Sequence, residues 1–63
     1  MKIEKGLIFT GRWFKGRVEV LGVDELNNQL KVYLNNQGSD YAWEETWDLQ
    51  VVKWGFENGD YFL

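Results

Sequence analysis

Twelve consecutive positions, W-E-E-T-W-D-L-Q-V-V-K-W at residues 43–54, hold three of the four tryptophans of this 63-residue chain, together with three carboxylates. Aromatic rings flanked by acidic groups can hold a cation through the ring quadrupole. The same rings could instead belong to the hydrophobic core, since large aromatic side chains are mostly buried on average. The chemistry that this stretch offers is therefore recognition or packing, and not bond making.

The composition removes the most common catalytic and metal-binding groups. The chain contains no histidine and no cysteine, so the commonest general base and the usual ligands of zinc are missing. The segment D-E-L-N-N-Q at residues 24–29 lacks the alternating acidic positions and central glycine of a calcium loop, and we expect the acids there and at positions 44, 45 and 48 to form a solvated face. We therefore predict a protein that is not an enzyme and that binds no metal and no cofactor.

Length and charge limit the remaining classes. Sixty-three residues form one domain, near the lower size at which a core is stable without disulfides. A net charge of −3 argues against duplex DNA, whose binding proteins neutralise phosphates. The N-terminal M-K-I-E-K-G lacks the apolar run of a signal peptide, and no segment approaches the roughly 20 apolar residues of a membrane span. We expect a cytoplasmic protein that does not contact a membrane.

An alternation of polar and apolar residues predicts a β-hairpin in the first half of the chain. It runs through residues 17–23 and again through residues 29–34. The asparagines between the two runs tolerate left-handed backbone angles, as a turn requires. Gly22 predicts a β-bulge that bends the first strand.

Shorter elements are predicted on either side of this hairpin. Residues 7–10 form a short strand, and residues 11–16 form a glycine-bracketed loop that carries two aromatic rings. Residues 35–38 predict a second turn. A third pairing strand is expected at residues 39–43, and a short final strand at residues 60–63.

Residues 46–57 fit two secondary structures. As part of a long strand, odd-numbered residues from Tyr41 to Val51 would lie on one side. As a helix, at about 100° per residue, the apolar residues divide into two opposite faces. One face holds Trp47, Val51 and Trp54, and the other holds Leu49, Val52 and Phe56.

The flanking residues bear on this choice. Thr46 or Asp48 could cap the start of a helix, and Gly59 could end it in the left-handed conformation. Gly55 opposes a helix, because glycine costs about 1 kcal/mol relative to alanine in a helix interior. The strand alternative needs a hairpin at residues 58–59 that pairs two like charges, and this favours the helix.

The order of these elements resembles a small SH3-like barrel of the Tudor or KOW kind. The resemblance implies a mainly β fold over residues 1–63, with about five strands and one short helical segment in the C-terminal third. W-E-E-T-W-D-L followed by G-F-E-N-G-D-Y is also similar to the C-terminal halves of very short bacterial and phage-encoded proteins. In SH3-like and Tudor-like domains, loop aromatics build a partner groove or cage, so the resemblance implies a binding role.

The number of rings gives a physical reason for the same expectation. A domain of this size cannot enclose eleven aromatic side chains, so some of them must reach the surface and make it adhesive. We predict a non-enzymatic interaction module that binds a protein partner or associates with itself. The predicted binding residues are Trp13, Tyr41, Trp43, Trp47 and Trp54.

Two alternatives stay open. G-R-W-F-K-G-R at residues 11–17 interleaves cations with aromatic rings, a composition typical of proteins that bind single-stranded nucleic acid. The residues of that alternative site are Arg12, Trp13, Lys15 and Arg17. A small adaptor that folds fully only within a larger assembly would also suit a chain so close to the lower size limit.

Overall fold

The structure, a computed structural model, describes residues 2–36 and 40–63. Five antiparallel strands form one sheet, and a short helix packs against one of its faces. The elements are β1 (Ile8–Gly11), β2 (Phe14–Asp24), β3 (Gln29–Asn36), β4 (Ala42–Asp48), α1 (Leu49–Asn58) and β5 (Tyr61–Phe62). The strand order is β4-β3-β2-β1-β5. The predicted mainly β fold with five strands and one late helix is confirmed, in a sheet whose strand pairing leaves β4 and β5 as edges.

The predicted hairpin is formed by β2 and β3, and it contains the predicted bulge. The register shifts between Val20 and Gly22, so that β2 carries one extra residue opposite Lys31. Because side chains alternate along a strand, this extra residue changes which ones face the core. Val23 is thereby placed opposite the buried Leu30, where an unbroken alternation would have turned it outward.

The hydrophobic core lies on one face of the sheet, which we call the inner face. Alternate residues of β2 and β3 are buried there, together with one ring of β1 and two residues of α1. The buried residues are Phe9, Val18, Val20, Leu30, Val32, Leu34, Leu49 and Val52. Burial of one such side chain contributes roughly 1.5–3 kcal/mol, so the alternation predicted for the hairpin supplies most of the core.

The third strand and the helix begin later than predicted. Residues 43–48 are extended and pair with β3, from Leu34 opposite Trp43 to Gln29 opposite Asp48. The third strand is therefore Ala42–Asp48 and not residues 39–43, and the helix starts at Leu49 and not at residue 46. Pairing with β3 satisfies the backbone hydrogen-bonding groups of this segment. The sequence pattern alone was compatible with either a strand or a helix there.

Two predicted loops are also shorter than expected. In the segment at residues 11–16, only Arg12 and Trp13 form the turn, because Phe14 and Lys15 already belong to β2. Of the second predicted turn, residues 35–36 belong to β3. Its remaining residues, and the predicted start of the third strand at Ser39, lie outside the described residues.

The start of α1 is fixed by the turn of the β2–β3 hairpin. Asn28, which has a positive φ of 54°, accepts the Leu49 N–H on its carbonyl at 3.0 Å. Its side-chain oxygen accepts the Gln50 N–H at 3.1 Å. Asp48 caps the helix by accepting the Val51 N–H at 3.0 Å. The first N–H groups of a helix have no partner within it, so the two bonds to Asn28 join the helix to the hairpin.

The C-terminal half of α1 packs against the aromatic ring of Tyr61. Gly59 ends the helix with a φ of 80°, as predicted. A Cβ on Gly55 would lie 2.3 Å from Cδ2 of Tyr61, and a Cβ on Gly11 would lie 2.8 Å from Cδ1 of the same ring. The ring therefore fits between two backbones that carry no side chain. Gly55, which opposed a helix on propensity, is required there by packing.

The same ring brings the two edges of the sheet together. Trp47 of β4 stacks on Tyr61 of β5, with ring centroids 6.0 Å apart and an interplanar angle of 18°. Phe9 contacts Tyr61 and Phe56 at centroid distances of 5.3 and 4.9 Å. Aromatic contacts, and not strand pairing, therefore connect β4 to β5.

We predict that Gly55→Ala destabilises the protein. Alanine raises helix propensity by about 1 kcal/mol, but its Cβ would overlap the Tyr61 ring, and overpacking of this kind costs about 1–3 kcal/mol. A contact this short puts the cost at the upper end of that range, so we expect a net loss of about 1–2 kcal/mol in the free energy of unfolding, measured by urea denaturation.

Gly22→Ala is the matched control, because a Cβ there meets no atom within 4 Å. Its free energy of unfolding should stay within about 0.5 kcal/mol of the original protein. A Gly55→Ala variant that is more stable than the original protein would contradict the packing of Tyr61 described above.

We also predict that Asn28→Gly frays the start of α1. Glycine retains the positive φ but removes the side-chain acceptor of the Gln50 N–H, a bond worth about 1 kcal/mol. Amide hydrogen exchange at Gln50 should become faster. Asn27→Gly is the control, because the Asn27 side chain bonds only locally, to Asp24 at 2.7 Å. Equal rates of amide exchange at Gln50 in the two variants would show that the Asn28 side chain does not stabilise the start of α1.

Candidate functional site

Helix α1 presents apolar residues on two sides, as the helical interpretation predicted. Leu49 and Val52 are buried against the sheet, whereas Val51 and Trp54 are 51% and 53% exposed. A helix beside a single sheet can bury only one of its faces. The second apolar face of α1 therefore lies on the surface.

Trp13 lies at the tip of the turn between β1 and β2 and is 82% exposed. The turn is held against the end of α1, because the Arg12 N–H donates to the Asp60 carbonyl at 2.9 Å. The Arg12 Nε also lies 3.9 Å from Asp60 Oδ1. Trp13 and Trp54 line one shallow hollow of about 250 Å³, together with Val51. The fold thus brings together two tryptophans that are far apart in the sequence.

Trp47 extends this hollow toward β4. Trp47 is half-buried and stacked on Tyr61. It lines a second hollow with Val51 and Tyr61, and the latter two residues line the first hollow as well. The two hollows therefore lie side by side. We call this area the tryptophan surface, formed by Trp13, Trp47, Val51, Trp54 and Tyr61.

A second arrangement lies along β4. Trp43, Glu45 and Trp47 pair with three buried residues of β3, and directly paired residues lie on the same face of a sheet. All three side chains are therefore on the inner face. The Trp47 indole N–H donates to Glu45 Oε1 at 2.8 Å, and the Trp43 indole N–H donates to Glu45 Oε2. We call this arrangement the Trp43–Glu45–Trp47 triplet.

The two indole groups lower the pKa of the Glu45 carboxyl below its ordinary value of 4.5. The hydrogen bond from Trp47 is the larger cause and that from Trp43 the second, and both outweigh the opposing effect of burial. Hydrogen bonds donated to a carboxylate stabilise its charged form. Glu45 is therefore an exposed anion at neutral pH, set between two aromatic rings.

Tyr41 lies at the far end of this triplet. Its ring is 70% exposed and lies 5.4 Å from the ring of Trp43. Phe14, which the sequence analysis did not select, contacts Trp43 edge-on at 6.4 Å. The five predicted residues thus form two adjoining areas that share Trp47. The first is the tryptophan surface, and the second is the triplet with Tyr41.

The alternative nucleic-acid residues do not share one surface. Arg12 and Trp13 lie in the turn beside α1, and Arg12 is engaged by Asp60. Lys15 and Arg17 are exposed positions of β2 that alternate with the buried Val18 side of the strand, so they point to the outer face of the sheet. The fold therefore separates these two cations from the ring with which they were grouped.

Each acidic residue near the tryptophans has a neighbouring group that contacts its carboxylate. Glu44 points to the outer face and lies 3.3 Å from Lys31. Asp48 caps α1, and Glu45 accepts both indole groups. Among residues 2–36 and 40–63, no three acidic side chains lie close enough together to hold a metal ion.

A groove that the sequence analysis did not predict lies on the other side of α1. It has a volume of about 750 Å³ and runs between the N-terminal residues, the helix and the C-terminal residues. Its apolar lining includes Ile3, Leu49, Phe56, Phe62 and Leu63. The signal in the sequence was the apolar residues at the two ends of the chain, which belong to no periodic pattern.

Comparison of the chain with protein-family models, with curated proteins and with solved structures finds no match. The described part of the chain contains no helix that is long and apolar enough to cross a membrane. The arrangement of the side chains is therefore the basis on which a function can be argued.

We predict that the indole N–H signals of Trp43 and Trp47 report the titration of Glu45. In proton NMR spectra recorded against pH, both should move with one midpoint below 4.5, while those of Trp13 and Trp54 should not. A carboxyl whose pKa is lowered by folding stabilises the fold above its unfolded pKa, and this contribution is lost as the pH falls through the folded pKa.

Glu45→Gln is the control for this titration, because glutamine keeps the shape of the side chain but does not ionise. Both indole signals should then be flat in the same pH range. A midpoint at or above 4.5 in the original protein would show that the two indole groups do not hold the carboxylate in solution.

Proposed function

We propose that the protein is a non-enzymatic interaction module that binds a short segment of a partner protein on the tryptophan surface. The observation that carries this proposal is the outward apolar face of α1, where Val51 and Trp54 are half-exposed next to the 82% exposed Trp13. Contiguous apolar areas on small proteins commonly mark interaction sites. Tryptophan is also the residue most enriched among those that dominate binding energy.

The area of the tryptophan surface favours a short segment over a second folded copy. At roughly 150–250 Å² for a large ring, the exposed fractions of Trp13, Val51 and Trp54 amount to roughly 300–450 Å². Stable interfaces between folded proteins bury about 800 Å² on each partner. Self-association through these residues alone would therefore be weak, whereas a peptide of a few residues could cover them.

The anchors of this surface are held in place before binding. Trp54 lies on a helix whose start is bonded to Asn28, and Trp47 is stacked on Tyr61. Rings that are already ordered lose little conformational entropy when a ligand binds, which favours affinity from a small contact area. The hollow between Trp13 and Trp54 can accept an apolar side chain of the segment.

The available chemistry supports binding over catalysis. The chain has no histidine and no cysteine. The carboxylates around the surface are engaged by helix N–H groups, indole groups and cations. A general base or nucleophile would need a free side chain directed at a substrate.

We also infer that the curled sheet is an SH3-like barrel whose edges are joined by side chains. The Trp47–Tyr61 stack between β4 and β5 supports this, because it brings the two edge strands within reach of each other. A groove lined by aromatic residues is what such domains use to hold a peptide, in agreement with the binding role proposed here.

We predict that the double variant Trp13→Ala/Trp54→Ala folds but loses peptide binding. Dodecapeptides selected from a random phage-displayed library on the original protein serve as the probe, and affinity is measured by fluorescence polarisation. Because loss of an anchoring tryptophan costs 2 kcal/mol or more, we expect the Kd to rise by about 30-fold or more. Trp13 is mostly exposed, Trp54 is half-exposed, and neither packs against the buried core, so thermal unfolding should change little.

Leu26→Ala is the matched control, since Leu26 is 98% exposed and lies in the β2–β3 turn outside the tryptophan surface. It should bind the selected peptides with unchanged affinity. Failure to select any peptide, or equal affinity in the double variant, would refute the proposal. Sedimentation that shows a dimer which the double variant loses would assign the surface to self-association instead.

A further inference from the structure

We propose that the Trp43–Glu45–Trp47 triplet receives an arginine side chain of the bound segment, with its guanidinium group on the Glu45 carboxylate. This inference depends on the proposed function, because the arginine belongs to the segment that the tryptophan surface binds. The triplet adjoins that surface through Trp47, which takes part in both. A segment lying across Trp47 can therefore reach Glu45.

The first argument is the acceptor capacity that Glu45 has left. A carboxylate can accept about four hydrogen bonds, about two on each oxygen. The Trp47 indole uses one site on Oε1, and the Trp43 indole uses one site on Oε2. One site on each oxygen is then open to a further donor. A guanidinium group presents two parallel N–H donors that match this spacing, which lysine cannot do.

The second argument is that Glu45 has no cationic partner within the described residues, whereas the adjacent Glu44 has one. Glu44 pairs with Lys31 at 3.3 Å, and Asp60 lies 3.9 Å from Arg12. Within residues 2–36 and 40–63, Glu45 forms no ion pair of this kind. Glu45 lies opposite the buried Val32 in the strand register but is itself exposed, so a cationic group can reach its carboxylate from solvent.

The third argument is the rings on either side of the carboxylate. Trp43 and Trp47 are held by Glu45 itself, by an edge-on contact of Trp43 with Phe14 and by the stacking of Trp47 on Tyr61. The carboxylate that a guanidinium group would bond is therefore already held in place by two fixed rings, so little conformational entropy is lost when the ion pair forms. The net charge of −3 on the chain also favours a cationic ligand.

A second copy of the chain is a poor occupant of this site. β4 is an edge strand, and antiparallel pairing of two β4 strands centred on Glu45 would set two carboxylates opposite each other, which is destabilising. An inward charge on an edge strand also protects against edge-to-edge aggregation. If that protection were its whole role, Glu45 would bind no ligand, and the following experiment separates the two cases.

The test uses N-acetyl-L-arginine amide as the probe and the indole N–H signals of the folded protein as the readout. The signals of Trp43 and Trp47 should shift saturably, and those of Trp13 and Trp54 should shift much less. N-acetyl-L-citrulline amide, which has a similar shape but no charge, should bind about tenfold more weakly or not at all. The affinity of the corresponding lysine amide should lie between those of the arginine and citrulline probes.

Glu45→Gln and Glu44→Gln form a matched pair of variants. They remove the same charge from adjacent residues that lie on opposite faces of β4. Glu45→Gln should raise the Kd of the arginine probe by about tenfold or more. Glu44→Gln should change that Kd by about twofold or less, in line with the small effect of an exposed ion pair. Raising the ionic strength should weaken the original interaction.

Three results would overturn the inference. The first is that the indole N–H signals of Trp43 and Trp47 do not shift with the arginine probe. The second is that the arginine and citrulline probes shift these signals equally. The third is that the two variants lose equal affinity for the arginine probe. The comparison of arginine with citrulline uses the original protein, so it remains decisive even where a variant does not fold. Selected peptides that bind equally well with their arginine replaced by citrulline would refute this site while leaving the tryptophan surface intact.

Discussion

The fold depends on the fit of the Tyr61 ring between the backbones of Gly11 and Gly55. This ring touches β1 on one side and α1 on the other, and it stacks on Trp47 of β4. The first strand therefore meets two elements of the C-terminal third, β4 and α1, at one side chain. Two glycines permit this approach, because any larger residue would displace the ring. The helix is thereby fixed over one end of the inner face.

The position of the helix decides which aromatic residues are exposed. With Leu49 and Val52 packed on the sheet, Val51 and Trp54 must point outward, since they lie on the opposite side of the helix. The Arg12–Asp60 contacts hold the β1–β2 turn beside the helix and so place Trp13 in the same area. The exposed tryptophans are thus a consequence of core packing, and a partner can use them without any rearrangement of the fold.

The edge strand β4 combines two properties that are usually found apart. Its inner face carries the partly buried Trp43 and Trp47, which contribute to the aromatic packing. Between them Glu45 supplies a charge that both indole N–H groups stabilise. The carboxylate is therefore ordered by the protein while part of it remains open to solvent. The ordered anion and two fixed rings of this triplet differ in chemistry from the tryptophan surface, whose exposed residues Trp13, Val51 and Trp54 are apolar.

The sequence by itself determined those elements whose physical cause lies within a few residues along the chain. The alternation of polar and apolar residues determined the hairpin, and Gly22 determined its bulge. Gly59 determined where the helix ends. The number of aromatic rings required that some of them be exposed. The tertiary structure decided the rest. Residues 43–48 became a strand because β3 offered partners, and Gly55 proved compatible with a helix because Tyr61 fills the space beside it. Such outcomes depend on contacts between separate elements of the fold, which the pattern within one element does not show.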